Sequence, residues 1–360
     1  MSRLAEALRD PIPLAPNRVR RFYRGGRLLD TFRGAPEPAD GDQPEDWVGS
    51  ATRAWTPAGA PAAAIGPSEV ELNGERLTLA EVLRREPQAL AGATLVTRAG
   101  PTLGVLVKLL DAAQRLPVHC HPSRFDAAAL LGSRFGKTEA WLILGTRDSG
   151  SARVWAGFRE PVERADLRSW IERQETDALL AALAELSVQA GDVLLIRAGV
   201  PHAIGAGVFL LELQEPTDFS VVAETRGFPI DPHDASLGLG WDRAVDLFDT
   251  RPPAALRQEQ VALSESVTRL LGRAADPFFR ALRVRVESEA SAAPPFEPTY
   301  AVGVVLAGRG AVEGESRRLE LVTGTTFALP AAAVPNARLS TDASLELIWC
   351  LGPEPGALDD

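Results

Sequence analysis

The stretch VHCHPS, residues 118–123, decides how this 360-residue chain is read. It holds two of the chain's four histidines, one residue apart, beside one of only two cysteines. Side chains at i and i+2 of a strand point to the same face, so His119 and His121 can aim at one point. Two further residues join them. Glu139 stands in the strand-like stretch TEAWLILG (138–145), where its same-face neighbours Trp141 and Ile143 are apolar. A carboxylate on an apolar face is costly unless it is paired or bound to a cation. His202 lies in GDVLLIRAGVPHAIGAG (191–207), after a strand and a Gly-Pro turn. Three imidazoles and one carboxylate converging from separate strands suit Zn²⁺, Fe²⁺ or Mn²⁺ and leave positions open for substrate or water.

Many short apolar runs, broken by a supply of 31 glycines and 28 prolines, indicate a mainly β chain. Helical spacing appears at 78–91, at 123–134 with Ser123 as N-cap, at 161–186, and again over 234–285. From 299 onward short strands resume, without any histidine. No apolar run approaches the roughly 20 residues that span a bilayer, and the first residues lack a signal-peptide core. A cytoplasmic protein is therefore expected. A net charge of −10 argues against nucleic-acid binding, which needs clustered Lys and Arg. Neither a phosphate-binding G-x-x-x-x-G-K-[ST] loop nor a strand-linked G-x-G-x-x-G is present. Two cysteines form neither a disulfide framework nor a zinc cluster by themselves.

The spacing resembles the two cupin motifs. The first is H-x-H followed by Glu, here with an inserted helix; the second is G-x5-P-x-G-x2-H, matched by Gly191, Gly199 and His202 with Arg197 in place of proline. The ordered stretches PLAPNRV, EDWVGSA, VKLLDA, HPS, GKTEAW, AGVPHAIGAG and LLELQEPTDFS, spanning residues 13–220, resemble type I mannose-6-phosphate isomerases more narrowly. The resemblance implies two cupin-type (jelly-roll) barrels with an additional helical region. A catalytic metal-binding domain would occupy 1–233, with a helical insertion at about 161–186. A helical connecting segment over 234–285 and a metal-free cupin-like domain over 286–360 would follow. In that last module Pro335 and Asn336 stand near the position of a ligand.

The resemblance also implies one divalent metal, zinc before Fe²⁺ or Mn²⁺, held by His119, His121, Glu139 and His202. His119 stands where the family has a glutamine. The chain's only lysines, Lys108 and Lys137, match family lysines near the active site. Glu212, Gln214 and Asp218 match the family's E-x-Q…D run. The implied roles are catalytic for Lys137, Glu212 and Arg226, and substrate-binding for Lys108, Gln214 and Asp218. Two positions depart from the pattern: Val222 replaces a family arginine, and Pro117 a family serine. Arg226, four residues after Val222, would face the same way if the strand continued. His233 reads as an exposed turn residue and Trp47 as packing. The implied reaction interconverts mannose 6-phosphate and fructose 6-phosphate, a small sugar phosphate being the partner. A metal cupin acting on another sugar, an iron-dependent oxygenase and a catalytically silent sugar-binding cupin remain as alternatives.

Overall fold

Strand alternation sorts the apolar side chains of this chain into layers. The computed structural model describes residues 2–55, 65–148, 150–287 and 290–357. It is mainly β, built from antiparallel sheets. One sheet runs in the order Val193–Ile196, Glu139–Thr146, Val208–Gln214, Leu106–Asp111, Glu45–Val48 and Arg18–Val19. A second runs Leu183–Val188, Ala152–Phe158, His202–Ile204, His119–Cys120 and Val221–Val222. Leu110, Trp141, Ile143 and Leu210 from the first pack with Val154, Ala156 and Ile204 from the second in one buried cluster. The two sheets therefore face each other, each giving its alternate residues to a shared interior.

The intervening residues of the same strands turn the other way. Val107, Leu109, Leu211 and Leu213 pack against Val302, Val304 and Ile348 of a ten-stranded C-terminal sheet. Burying each such side chain contributes about 1.5–3 kcal/mol. Both faces of the six-stranded sheet are thus apolar, which is why a polar residue on it stands out. The other face of the five-stranded sheet is covered by helices. Leu167 and Ile171 of Arg164–Arg173 and Leu179 of Thr176–Ala182 pack with Cys120, Phe158, Ala203 and Val221.

Helical spacing over 78–91 resolves into Leu79–Arg85 and Pro87–Ala91, separated where Pro87 cannot continue the first helix. Thr78 and Glu81 close a capping box at its start. Ser123 caps Arg124–Leu131 as expected, its hydroxyl accepting from the Asp126 N–H. Two helical expectations need correction. The 161–186 segment leaves the helix at Leu183, where Leu183–Val188 joins the Ala152–Phe158 strand. Over 234–285 only short turns are helical, Pro232–Ala235 and Trp241–Ala244 with two 3₁₀ turns; Val261–Ala262, Val267–Arg269 and Arg280–Glu287 are strands. Alternation of Leu282, Val284 and Val286 with arginines has period two, and pairing with Ser344–Leu351 fixes it as sheet. The chain's start also joins the C-terminal sheet, Ile12–Pro13 pairing with Thr326–Leu329.

Candidate metal centre and active cavity

His119 opens the two-residue strand His119–Cys120, His121 follows it directly, and His202 stands opposite His119 in the neighbouring strand. Ring centroids lie 4.1 Å apart for His119–His202, 4.9 Å for His121–His202 and 5.0 Å for His119–His121. All three rings are buried. Each donates its Nδ1–H to a backbone carbonyl: His119 to Pro117 at 2.8 Å, His121 to Phe219 at 2.7 Å and His202 to Val200 at 2.8 Å. These bonds fix the tautomer and leave every Nε2 lone pair facing inward, the second-layer arrangement typical of ligating histidines. One ligand nitrogen from each ring lies within 4.8 Å of the others, as binding a single ion requires.

Glu139 approaches from the facing sheet. Its Oε2 lies 3.0 Å from His121 Nε2, and its Oε1 3.3 Å from His202 Nε2. Trp141 Nε1 donates to Oε1 at 2.9 Å and orients the carboxylate. Yet Glu139 Oε2 and His202 Nε2 have no hydrogen-bond partner among the described residues, although both are buried. Orphaned acceptors of this kind call for a cation. Burial, with the neighbouring histidines and Lys137, pushes the His121 imidazole down to about 3 and His119 well below its ordinary range. Both rings are therefore neutral, the form that binds a metal. For Glu139, burial pushes the carboxyl up, but the Lys137 ammonium 3.4 Å away opposes it and the group stays ionised. The residues present fit a divalent cation.

A cavity of about 220 Å³ opens beside this cluster, lined by His119, Lys137, Glu139 and Glu212 among others. Lys137 Nζ sits 3.1 Å from His121 Nε2 and 3.4 Å from Glu139 Oε2. Across the cavity, Lys108 Nζ lies 3.3 Å from Glu212 and 3.6 Å from Glu45, over the ring of Trp47. Burial raises the Glu212 carboxyl to about 7, with the Glu139 charge adding to it and Lys108 opposing. Burial lowers Lys108, but Glu45 and Glu212 more than restore it, so the ammonium stays charged. Arg21 forks onto Asp218 at 2.8 and 3.1 Å and reaches Glu45 at 2.9 Å. The arrangement combines a cation site, a buried carboxyl poised near neutrality, and two lysines.

Comparison with known proteins follows the same direction. No protein-family model matches the chain. A mannose-6-phosphate isomerase of Streptococcus mutans is 28% identical over 229 residues, 63% of this chain and 68% of its own. A probable mannose-6-phosphate isomerase of Bacillus subtilis is 24% identical over 335 residues, 89% of this chain and 93% of its own. The chain is thus similar in sequence to mannose-6-phosphate isomerases. The fold agrees: the crystal structure of the mannose 6-phosphate isomerase from Bacillus subtilis aligns with a TM-score of 0.71 at 21% identity. That alignment covers 94% of this chain and 99% of the other.

Most residues expected from the sequence meet in the cavity: His119, Glu139, Lys108, Lys137, Glu212 and Asp218 line it, with His121 and His202 against its metal cluster. Two do not. Arg226 is exposed beside the C-terminal end of the Arg164–Arg173 helix, its guanidinium donating to the Arg173 carbonyl and its N–H to Gln174. The strand on which its parity was counted ends at Val222, so the alternation does not reach it. Gln214 keeps strand parity with Glu212 but is fully buried and turns its amide back onto the carbonyls of Glu215 and Thr217. It braces the turn that carries Asp218. Trp47 is fully buried packing, as expected, and His233 is exposed.

Several groups that line the cavity escaped the sequence reading. Arg21, Tyr23 and Asp234 carry no local signal. Glu45 could have been found: EDWV forms a strand buried at all four positions, and two carboxylates there demand partners. Tyr23 donates its hydroxyl to Glu45 at 2.7 Å, and Trp47 Nε1 donates to the same carboxylate at 2.7 Å.

Proposed function

We propose that the chain is a metal-dependent aldose–ketose isomerase interconverting mannose 6-phosphate and fructose 6-phosphate. The observation that carries this reading is the buried three-histidine cluster with Glu139, sharing one cavity with Glu212 and two lysines. Mannose-6-phosphate isomerase is also the name borne by its relatives. His119, His121, Glu139 and His202 would hold one divalent ion, zinc before iron or manganese on their nitrogen-rich donor set. When bound, that ion supplies electrostatic stabilisation for a developing enediolate.

The chain's own groups account for the proton. Glu212, buried and poised near pH 7, takes the proton from C2 of the aldose and returns it to C1, while the hydroxyl hydrogen passes from O2 to O1. Lys137, beside Glu139, adds positive charge where oxyanion character develops. Lys108 holds Glu212 in place and positions substrate, and Asp218, fixed by Arg21, accepts from a sugar hydroxyl. In domain terms we propose a catalytic cupin-type barrel within 1–233, formed by the facing five- and six-stranded sheets. A connecting segment over 234–285 and a metal-free cupin-like unit within 286–360 would follow.

The test is a coupled assay in which fructose 6-phosphate formed from mannose 6-phosphate is converted to glucose 6-phosphate by added phosphoglucose isomerase, after reconstitution of the chain with Zn²⁺, Fe²⁺ or Mn²⁺. Turnover that depends on the metal and vanishes with chelator supports the reading. Oxygen uptake with iron, or metal binding without isomerisation, would overturn it.

A further inference from the structure

Every cation in the active cavity is already committed to a carboxylate. Arg21 forks onto Asp218 and reaches Glu45; Lys108 lies between Glu45 and Glu212; Lys137 lies 3.4 Å from Glu139. Among the described residues lining the space, these three are the only Lys or Arg. Residues 56–64, outside the described part, contain neither. The same space is lined by a fifth carboxylate, Asp234, whose side chain has no hydrogen-bond or ion-pair partner among the described residues. Five carboxyl groups therefore face three cations, and with Glu212 ionised a divalent ion at the histidine cluster would bring the formal sum to zero. Much of the remaining wall is apolar, including Phe22, Ile204, Val222, Ile230 and Leu237. Val222 stands directly across from His119 in the sheet register.

A phosphate dianion entering this cavity meets no free guanidinium or ammonium, and it meets an unpaired carboxylate. Binding it would break an existing buried ion pair or leave charge unbalanced, both costly. A sugar hydroxyl has no such difficulty. It donates to a carboxylate, and the C–H face of the ring packs on aliphatic side chains.

We propose that this cavity takes an uncharged hexose, the aldose or its ketose, at least as well as the 6-phosphate, with Asp234 accepting from the sugar's hydroxyls. The chemistry rests on the isomerase reading, while the selectivity rests on the charge pattern of the cavity.

The experiment compares kcat/KM for D-mannose and mannose 6-phosphate on the metal-reconstituted protein, with Asp234→Asn alongside. The two sugars are expected to agree within about tenfold. A single charge-assisted contact to the phosphate corresponds to about tenfold or more, so a larger preference for the phosphate ester overturns the proposal. Asp234→Asn is expected to move the ratio several-fold toward the phosphate ester and to raise KM for mannose; an unchanged ratio removes Asp234 from the proposal. Calorimetric titration with mannitol and with mannitol 1-phosphate separates selectivity from chemistry. If neither sugar is converted, the isomerase reading fails on its own, and the titration still decides. Equal or tighter binding of mannitol supports the proposal, whereas tenfold tighter binding of the phosphate, or binding of neither, overturns it.

Discussion

Replacing Glu212 by Gln probes the least ordinary group in the cavity. Glu212 is 3% exposed, and burial raises its carboxyl to about 7 from an ordinary value of 4.5. The folded protein thus retains a proton that the unfolded chain releases above about pH 4.5. Stability of the wild type therefore falls as pH rises from about 4.5 through 7 and levels off beyond, because the folded state binds more protons over that window. A displacement of about 2.5 pH units corresponds to about 3 kcal/mol at 1.36 kcal/mol per unit. Glutamine does not titrate, and Lys108 keeps Glu45 at 3.6 Å as a partner in the variant. Urea unfolding of both metal-free proteins at pH 4.5, 6, 7 and 8.5, followed by tryptophan fluorescence, reads the difference. The variant should gain on the wild type by about 3 kcal/mol across the series, with little change above pH 8. A difference that stays constant with pH would refute the assignment of a raised carboxyl. In the same variant kcat should fall by about 10²–10⁴ with metal content unchanged, the loss expected of a missing proton-transfer group.

Three other substitutions test the rest of the site. Arg21→Met strips Asp218 of its guanidinium partner and Glu45 of one of two cations, and should cost about 3–5 kcal/mol in urea unfolding. Arg226→Ala should leave kcat/KM within about twofold and stability within about 0.5 kcal/mol, because the side chain is exposed and away from the cavity. His202→Ala removes one of three converging imidazoles, so elemental analysis after dialysis should find little metal. The thermal stabilisation that added metal gives the wild type should vanish with it.

The metal cluster was legible because each member obeys a local rule. His119 and His121 stand two positions apart at the end of a strand, and Glu139 breaks an apolar face that the structure buries on both sides. The cavity's second half was only partly legible. Lys108, Glu212 and Asp218 followed from the family resemblance, but their partners Arg21 and Glu45 come from 63 or more residues earlier in the chain. Glu45 arrives through pairing of Glu45–Val48 with Leu106–Asp111, and Arg21 follows Arg18–Val19, which pairs with Glu45–Val48 in turn; no local pattern announces either. Arg226 failed for an instructive reason: alternation is a property of a strand, and Val221–Val222 is two residues long. The 234–285 segment misled through its mixture of alanine, leucine and charge. Its later half alternates with period two, and sheet neighbours outweigh helical propensity there.

The central claim is that His119, His121, Glu139 and His202 hold one divalent ion together. X-ray absorption spectroscopy on the reconstituted protein, with metal content determined on the same sample, tests it most directly. The account predicts one ion per chain with three imidazole nitrogens and at least one oxygen in its first shell. An ion with fewer than two imidazoles, or a protein that retains no ion, would contradict it.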